Sequence, residues 1–157
     1  LTVLESVMLA IFERTGASWH WHRTVASHKD ARDEAMALLC RLQLGADALA
    51  PTHALPYGKQ RLVEIALALA THPRILLLDE PAAGIPSGQS TELFEVIASL
   101  PRDITILFIE HDMNLVFRFA ERITVLLAGR VLTEGTPQEI AADPRVREVY
   151  LGEVEHA

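Results

Sequence analysis

The sequence predicts an α/β fold in which a helical segment comes first and part of a parallel sheet follows. Apolar residues recur at helical spacing through the first fifty residues. After Pro51, three short apolar runs alternate with helical patterns, which is typical of a parallel sheet covered by helices on both faces. With 157 residues, half of them apolar, the chain has the length and composition of one globular domain.

The first fifty residues predict two amphipathic helices. Thr2 and Glu5 have the spacing of a capping box, so the first helix should begin there and end near Gly16. Residues 17–27 show no sustained period and predict a loop or a broken helical turn. A second helix should follow Ser27, with Gly45 as its C-cap.

The alternation after Pro51 predicts the sheet. A helix running to His72 is stopped by Pro73, and the apolar residues 75–78 that follow predict a fully buried strand. The pattern then predicts a helix from about Ser87, a strand at 104–109, a short helix and a third strand at 123–127. Gly129 marks a turn after the third strand. Pro137 and Pro144 mark two further helix starts near the end.

Composition excludes several classes of protein. The formal charge of −7 and a pI near 5.4 argue against a protein that coats nucleic acid or docks on anionic lipid. No apolar run is long enough to cross a membrane, so we expect a soluble chain. Cys40 cannot form an internal disulfide and no signal peptide is visible, which indicates a reducing cytosolic setting. Because Leu1 already lies in a helical pattern, we expect a fragment of a longer protein.

The most informative motif is ILLLDEP, residues 75–81, which places Asp79 and Glu80 at the carboxyl end of a predicted strand. Ligands bind at that end of the strands in open α/β sheets. One carboxylate there suits Mg²⁺, and a second can orient or deprotonate an attacking water during phosphoryl transfer. The alternative is a strand that simply ends in acidic residues before a turn.

Two further motifs lie near this one in the sequence. In LPYGKQ, residues 55–60, Gly58 near a helix start leaves N–H groups open to an anion such as phosphate, although an ordinary turn has the same form. In IEHDM, His111 follows a predicted strand and Asp112 can cap the next helix. A histidine in such a loop commonly has no functional role, but beside a Mg²⁺–phosphate site it can hold a phosphate oxygen.

Taken in this order, the motifs resemble the nucleotide-binding subunit of ABC transporters. LPYGKQ is similar to that family's signature sequence, ILLLDEP to its Walker B strand, AAGIP to its D-loop and IEHDM to its switch histidine. The turn AGRVLTEGTPQEI and the ending VREVYLGE most resemble ATP-binding subunits of bacterial branched-chain amino acid importers, the LivG type. The resemblance implies a partial P-loop NTPase fold, with a helical signature subdomain at 1–72 and the carboxyl-terminal part of a RecA-like core at 73–157.

The resemblance also implies a role for each motif. Asp79 would hold Mg²⁺ through water, Glu80 would polarise the hydrolytic water, and His111 would contact the γ-phosphate of ATP. The signature residues would face a nucleotide held by an opposing subunit, and two D-loop residues would adjoin it. The implied signature residues are Leu55, Pro56, Tyr57, Gly58, Lys59 and Gln60, and the D-loop residues are Ala83 and Gly84.

Partners and location follow from the same resemblance. The implied partners are transmembrane permease subunits, a second ATP-binding subunit and, indirectly, a solute-binding protein, and nucleic acid is not among them. The implied location is the cytoplasmic face of the bacterial inner membrane. The identity of the solute, and whether the second subunit is the same or a sister chain, stay open.

The sequence departs from the family pattern at three positions. Pro56 stands where the family has Ser, Lys59 where it has Gln, and Pro86 where the D-loop has Asp. Pro56 offers no hydroxyl to a phosphate, and the charge of Lys59 could partly compensate for this. No G-x-x-x-x-G-K-[ST] loop occurs in the 157 residues, so we expect the chain by itself neither to bind ATP tightly nor to hydrolyse it.

Alternative functions remain open from sequence. The chain could be a non-catalytic module that lends its signature helix to a partner's nucleotide, or an ABC-type ATPase of DNA maintenance, although it lacks the heptad arms and basic surface of the latter. Trp19 and Trp21 are interpreted as helical core or permease-coupling surface rather than, with His20 and His22, as a metal site.

Overall fold

The computed structural model describes residues 1–16 and 29–151. The predicted loop at 17–27, with its tryptophans and histidines, therefore lies outside the described residues. The chain divides into two compact units, residues 1–109 and 110–157. The first unit contains α1 (Val3–Thr15), α2 (Lys29–Arg41), α3 (Tyr57–Leu69), β1 (Ile75–Asp79), α4 (Ser87–Ala98) and β2 (Thr105–Ile109). The second contains α5 (Met113–Phe119), β3 (Ile123–Leu127), β4 (Arg130–Gly135), α6 (Pro137–Ala142), α7 (Pro144–Val146) and a π-helical turn (Arg147–Leu151).

The predicted caps of α1 are confirmed. The Thr2 side chain accepts a hydrogen bond from the backbone N–H of Glu5 at 3.2 Å, and the Glu5 carboxylate accepts one from the Thr2 N–H at 2.8 Å. Both bonds satisfy N–H groups that a helix start leaves without partners. Gly16 ends the helix in the left-handed conformation at φ 70°.

The predicted cap of α2 is wrong. The left-handed residue that ends this helix is Gln43 at φ 60°, not Gly45. The Leu44 N–H then donates to the Leu39 carbonyl at 2.8 Å, the bond of a Schellman motif, and both leucine side chains are fully buried. Gly45 is needed for a different reason, because a Cβ there would lie 2.9 Å from the Cys40 Sγ.

The core of the first unit lies between the helices and one face of the small sheet. Helix α1 packs against α2 and α3, and α3 packs against α4. Arg14 reinforces this packing, because its Nε donates to the Ala70 carbonyl at 2.8 Å and its Nη2 lies 2.5 Å from Glu34. The fully buried side chains at the centre include Val3, Val7, Ile11, Leu39, Leu42 and Leu44.

Strands β1 and β2 pair in parallel, as the alternation predicts, with Asp79 opposite Ile109. Helix α4 covers one face, where Phe94 makes an edge contact with Phe108 at 5.1 Å between ring centroids. The prediction of a fully buried strand is wrong, since the other face is exposed. The exposed apolar residues there are Ile75, Leu77, Leu107 and Ile109, each 59–69% accessible. Within the described residues of the first unit, helices pack on one face of this sheet only.

The third predicted strand is present, but it does not extend the parallel sheet in the described residues. Strand β3 pairs antiparallel with β4. The two-residue turn between them, Ala128 and Gly129, has φ values of 49° and 75°, which match the right-handed twist of a hairpin. The predicted helix starts at Pro137 and Pro144 are confirmed. No helix among residues 1–16 and 29–151 is long and apolar enough to span a membrane.

We predict that the exposed apolar face drives self-association of the chain. Leu77 and Leu107 are register partners at the centre of this face, so the double replacement Leu77→Lys and Leu107→Glu should interrupt the patch and leave a cross-strand ion pair. Light scattering should show less association, and the free energy of unfolding should change by less than about 1 kcal/mol. The control Leu76→Ala, on the buried face, should instead cost about 2–5 kcal/mol. Unchanged association in the double variant would contradict the prediction.

Candidate functional site

The carboxylate pair lies at the carboxyl end of the parallel sheet. Asp79 is the last residue of β1, and the backbone N–H of Glu80 donates to the Ile109 carbonyl at 2.9 Å, which extends the pairing with β2 by one bond. Both residues are exposed. Asp79 therefore presents its carboxylate oxygens to solvent at the end of the strand. Carboxylate oxygens suit Mg²⁺, which commonly keeps several of its water ligands when it binds to a protein. No cluster of three or more metal-binding side chains occurs among the described residues.

Glu80 has a backbone conformation that sequence reasoning did not predict. Its φ is 43°, in the left-handed region that costs a non-glycine residue about 1–3 kcal/mol. Two main-chain bonds hold it there, one to Ile109 and one from the Ala83 N–H to the Glu80 carbonyl at 3.0 Å. Strain of this kind is concentrated at functional sites, and it turns Glu80 out of the strand direction of Asp79.

The turn after Glu80 contacts the start of α3. Gly84 has φ 76°, and a Cβ placed on it would lie 3.4 Å from the Cε1 atom of Tyr57. The Ile85 N–H donates to the Ala82 carbonyl at 3.1 Å, which closes the turn. The structure thus brings the residues predicted as D-loop and signature into contact within one unit.

The amino end of α3 has no side-chain cap. Pro56 stands at the N-cap position, and it supplies no hydroxyl or carboxylate to the first amides. A helix start of this kind presents N–H groups and the positive end of the helix dipole to an anion. Gly58 also has a packing role, because a Cβ there would lie 3.5 Å from the Gln89 Oε1 atom and 3.9 Å from Ile85.

The remaining signature residues serve the fold of this region. Leu55 is buried in the core, and the Gln60 side chain donates to its carbonyl at 2.8 Å. The Lys59 ammonium lies 2.7 Å from an Asp47 carboxylate oxygen, so its charge is paired inside the unit. The expectation that the charge of Lys59 compensates for the absent hydroxyl at Pro56 stays a prediction. It requires Lys59 to leave Asp47 when it contacts a phosphate.

Arg61 is a residue of this region that sequence reasoning missed. Its Nη2 donates to the Tyr57 hydroxyl at 2.6 Å, and its guanidinium carbon lies 5.0 Å from the centroid of the Tyr57 ring. Its Nη1 donates to Glu64 at 2.7 Å, and this hydrogen bond raises the pKa of Arg61. The spacing of these three residues along one face of α3 could have indicated the contact from sequence. Arg61 therefore orients the ring that packs against Gly84.

His111 belongs to the second unit. It precedes α5 and is exposed, and the adjacent Asp112 caps that helix by accepting from the Asn114 N–H at 2.9 Å, as predicted. The first unit thus assembles Asp79, Glu80 and Tyr57 with the turn 81–86, and the role of His111 stays a prediction.

We predict that Gly84→Ala destabilises the turn that joins the two motifs. Alanine at φ 76° is strained and its Cβ would press on Tyr57, so urea unfolding should show a loss of about 1–2 kcal/mol. Gly88→Ala in α4 is the matched control, because a Cβ there meets open space and helix propensity favours alanine. Equal effects of the two substitutions would contradict the assignment of Gly84 as a required glycine.

Comparison with known proteins gives consistent matches over nearly the whole chain. The sequence model of the ABC transporter family matches residues 2–83, and that of the branched-chain amino acid ATP-binding cassette transporter matches residues 130–156. The high-affinity branched-chain amino acid transport ATP-binding protein LivG of Salmonella typhimurium is 41% identical over 160 residues, covering 98% of this chain and 63% of LivG. The lipopolysaccharide export ATP-binding protein LptB of Acidithiobacillus ferridurans is 45% identical over 117 residues, covering 74% of this chain and 48% of LptB.

A solved structure gives the same result for the fold. The ADP conformation of MJ1267, an ATP-binding cassette of an ABC transporter, superposes with a TM-score of 0.78 at 28% identity, covering 97% of this chain and 63% of that one. The chain therefore spans about 63% of the length of LivG and of MJ1267.

Proposed function

Because the chain belongs to the ABC transporter family and is homologous to LivG-type ATP-binding proteins, we propose that it forms part of a subunit whose ATP hydrolysis drives import of branched-chain amino acids. The observation that carries the proposal is the position of Asp79 and Glu80 at the carboxyl end of β1, with the start of α3 packed against the turn that follows them. This arrangement gives a unit with a metal-binding carboxylate, a base and an anion-binding helix start.

The two carboxylates have different tasks in the proposed reaction. Mg²⁺, when bound with ATP, neutralises charge on the phosphates. Asp79 would hold that ion through water, and Glu80 would accept a proton from the water whose oxygen bonds to the γ-phosphorus as the bond to ADP breaks. We assign one carboxylate to the metal and the other to the water, and the left-handed backbone at Glu80 ends the regular strand geometry between the two residues.

The start of α3 serves a second nucleotide. Its amides at Tyr57, Gly58 and Lys59 face the γ-phosphate of ATP held by an opposing subunit, and the turn containing Ala83 and Gly84 links that contact to Glu80 through the ring of Tyr57. His111 contacts the γ-phosphate on its own subunit. The second ATP-binding subunit is therefore a required partner.

The loop that wraps the phosphates lies outside these residues. The 157-residue sequence has no G-x-x-x-x-G-K-[ST], so most of the affinity for ATP comes from elsewhere in the whole subunit. The remaining partners are permease subunits and, indirectly, a solute-binding protein, and the location is the cytoplasmic face of the inner membrane. Nucleic acid is not a partner.

Similarity to LptB leaves a second solute class to be distinguished. LptB is named for lipopolysaccharide export, and its sequence identity to this chain is 45% over 117 residues, against 41% over 160 residues for LivG. The match of residues 130–156 to the branched-chain amino acid model, together with the 98% coverage by LivG, favours amino acid import.

A non-catalytic role is the alternative. The start of α3 is fully formed in a sequence without a phosphate-wrapping loop, so the chain could lend this helix to a partner's nucleotide. The activity of a chimaera with LivG separates the two proposals.

We predict the outcome of a chimaera in which this chain replaces the matching 63% of Salmonella LivG. The chimaera should hydrolyse ATP and restore leucine uptake to cells lacking LivG, whereas the 157-residue chain alone should do neither. Glu80→Gln should lower the turnover number by about a hundredfold or more, since a positioned base contributes about 10²–10⁴.

Glu92→Gln in α4 is the control, because that carboxylate is exposed and lies outside the proposed site. Its turnover should equal that of the unsubstituted chimaera. A chimaera that folds and binds ATP but loses no turnover on Glu80→Gln would overturn the catalytic proposal and leave the helix-lending alternative.

A further inference from the structure

A second cleft lies in the first unit at the opposite end of the sheet from the carboxylate pair. It has a volume of about 570 Å³, within the range of small-molecule sites. It is bounded by α2, by the link between α3 and β1, and by the segment that precedes β2. Because β1 is five residues long, the cleft is about 16 Å from Asp79 and separate from the proposed nucleotide chemistry.

Three charged side chains that line this cleft have no ion partner among residues 1–16 and 29–151. They are Arg41 at the end of α2, Arg74 just before β1 and Asp103 just before β2. The Thr105 N–H donates to the Arg74 carbonyl at 2.9 Å, so Arg74 lies across the sheet from Ile104, next to Asp103 in the chain. Two cations and one carboxylate therefore share the rim.

The fourth ionised group of the lining, Glu34, is already engaged. Arg14 lies 2.5 Å from its Oε1 atom, and the His72 ring nitrogen lies 3.0 Å from the same atom. These contacts tie α1, α2 and the end of α3 together and form one side of the cleft. Glu34 consequently does not neutralise Arg41 or Arg74.

The floor of the cleft is aliphatic. Leu69 and Leu100 are buried and Leu38 and Ile104 are half-buried, and all four line it. A ligand that fills the cleft covers this apolar surface and lies beside charges of both signs. Because Arg41, Arg74 and Asp103 are exposed, water solvates them in the free protein, and a ligand with charges of both signs can form charge-assisted hydrogen bonds to all three.

We propose that this cleft binds an aliphatic α-amino acid. Its carboxylate is bound by Arg41 and Arg74, its ammonium by Asp103, and its branched side chain by the leucines and Ile104. Only the identification of this ligand with the transported solute rests on the proposed function, since the proposal of binding is argued from the charges and the aliphatic floor. The cleft would let the protein sense free amino acid at a place remote from ATP.

The test is titration of the 157-residue chain with L-leucine, followed by NMR or calorimetry, and repeated on the LivG chimaera. We expect one saturable site in both proteins. Arg74→Ala and Asp103→Asn should each weaken binding by about tenfold or more, since hydrogen bonds to charged groups contribute about that much. Arg32→Ala and Asp33→Asn are the matched controls, because both are exposed on α2 and neither lines the cleft.

Ligand analogues separate the three parts of the proposal. Isocaproate lacks the ammonium, isoamylamine lacks the carboxylate and glycine lacks the aliphatic chain, so each should bind at least about tenfold more weakly than leucine. Asp103→Asn should weaken the binding of leucine but not the binding of isocaproate, which has no ammonium group.

Two results would overturn the inference. They are the absence of saturable leucine binding in the folded chimaera, and binding that Arg74→Ala and Asp103→Asn leave unchanged. A chimaera that binds leucine but does not hydrolyse ATP would instead overturn the proposed function and leave this inference standing.

Discussion

The parallel pairing of β1 with β2 fixes the position of every proposed functional group in the first unit. With Asp79 opposite Ile109, the main-chain bond from Glu80 to Ile109 sets the direction in which the chain leaves the sheet. That direction places the turn containing Gly84 against Tyr57 at the start of α3. A shift of the register by one residue would turn Leu76 out of the core and move both carboxylates away from this turn. The same pairing places Arg74 and Asp103 together at the other end of the sheet.

The sheet depends on apolar packing that covers one of its faces. Phe94, Leu93 and Ile97 of α4 are buried together with Leu76 of β1, whereas Leu77 and Leu107 on the other face are exposed. A two-stranded sheet with one apolar face exposed is only marginally stable by itself. Because the chain spans about 63% of the length of LivG, we interpret the carboxylate pair and the helix start as parts of a larger site.

Local signals in the sequence predict the elements well. The capping boxes at Thr2 and Thr136, the cap at Asp112 and the strands at 75 and 123 all depend on residues a few positions apart. Features that depend on distant residues could not be read in this way. Packing of the helices brings Lys59 to Asp47 and Arg14 to the Ala70 carbonyl. Packing also decides which face of the sheet is covered, and Leu77 lies on the face that is left exposed. The positive φ of Glu80 also depends on a distant residue, because one of its two main-chain hydrogen bonds is to Ile109 of β2 and the other is to Ala83 in the turn.

In the proposed function, Asp79 and Glu80 act on one nucleotide while the start of α3 contacts another. The most direct measurement is a crystal structure of the Glu80→Gln chimaera with ATP and Mg²⁺. We expect a dimer in which Asp79 reaches the metal through water and the amide that replaces the Glu80 carboxylate lies beside the γ-phosphate. The backbone N–H groups at Tyr57 and Gly58 should contact the nucleotide of the partner subunit. A structure in which ATP binds away from Asp79, or in which the start of α3 faces no phosphate, would contradict it.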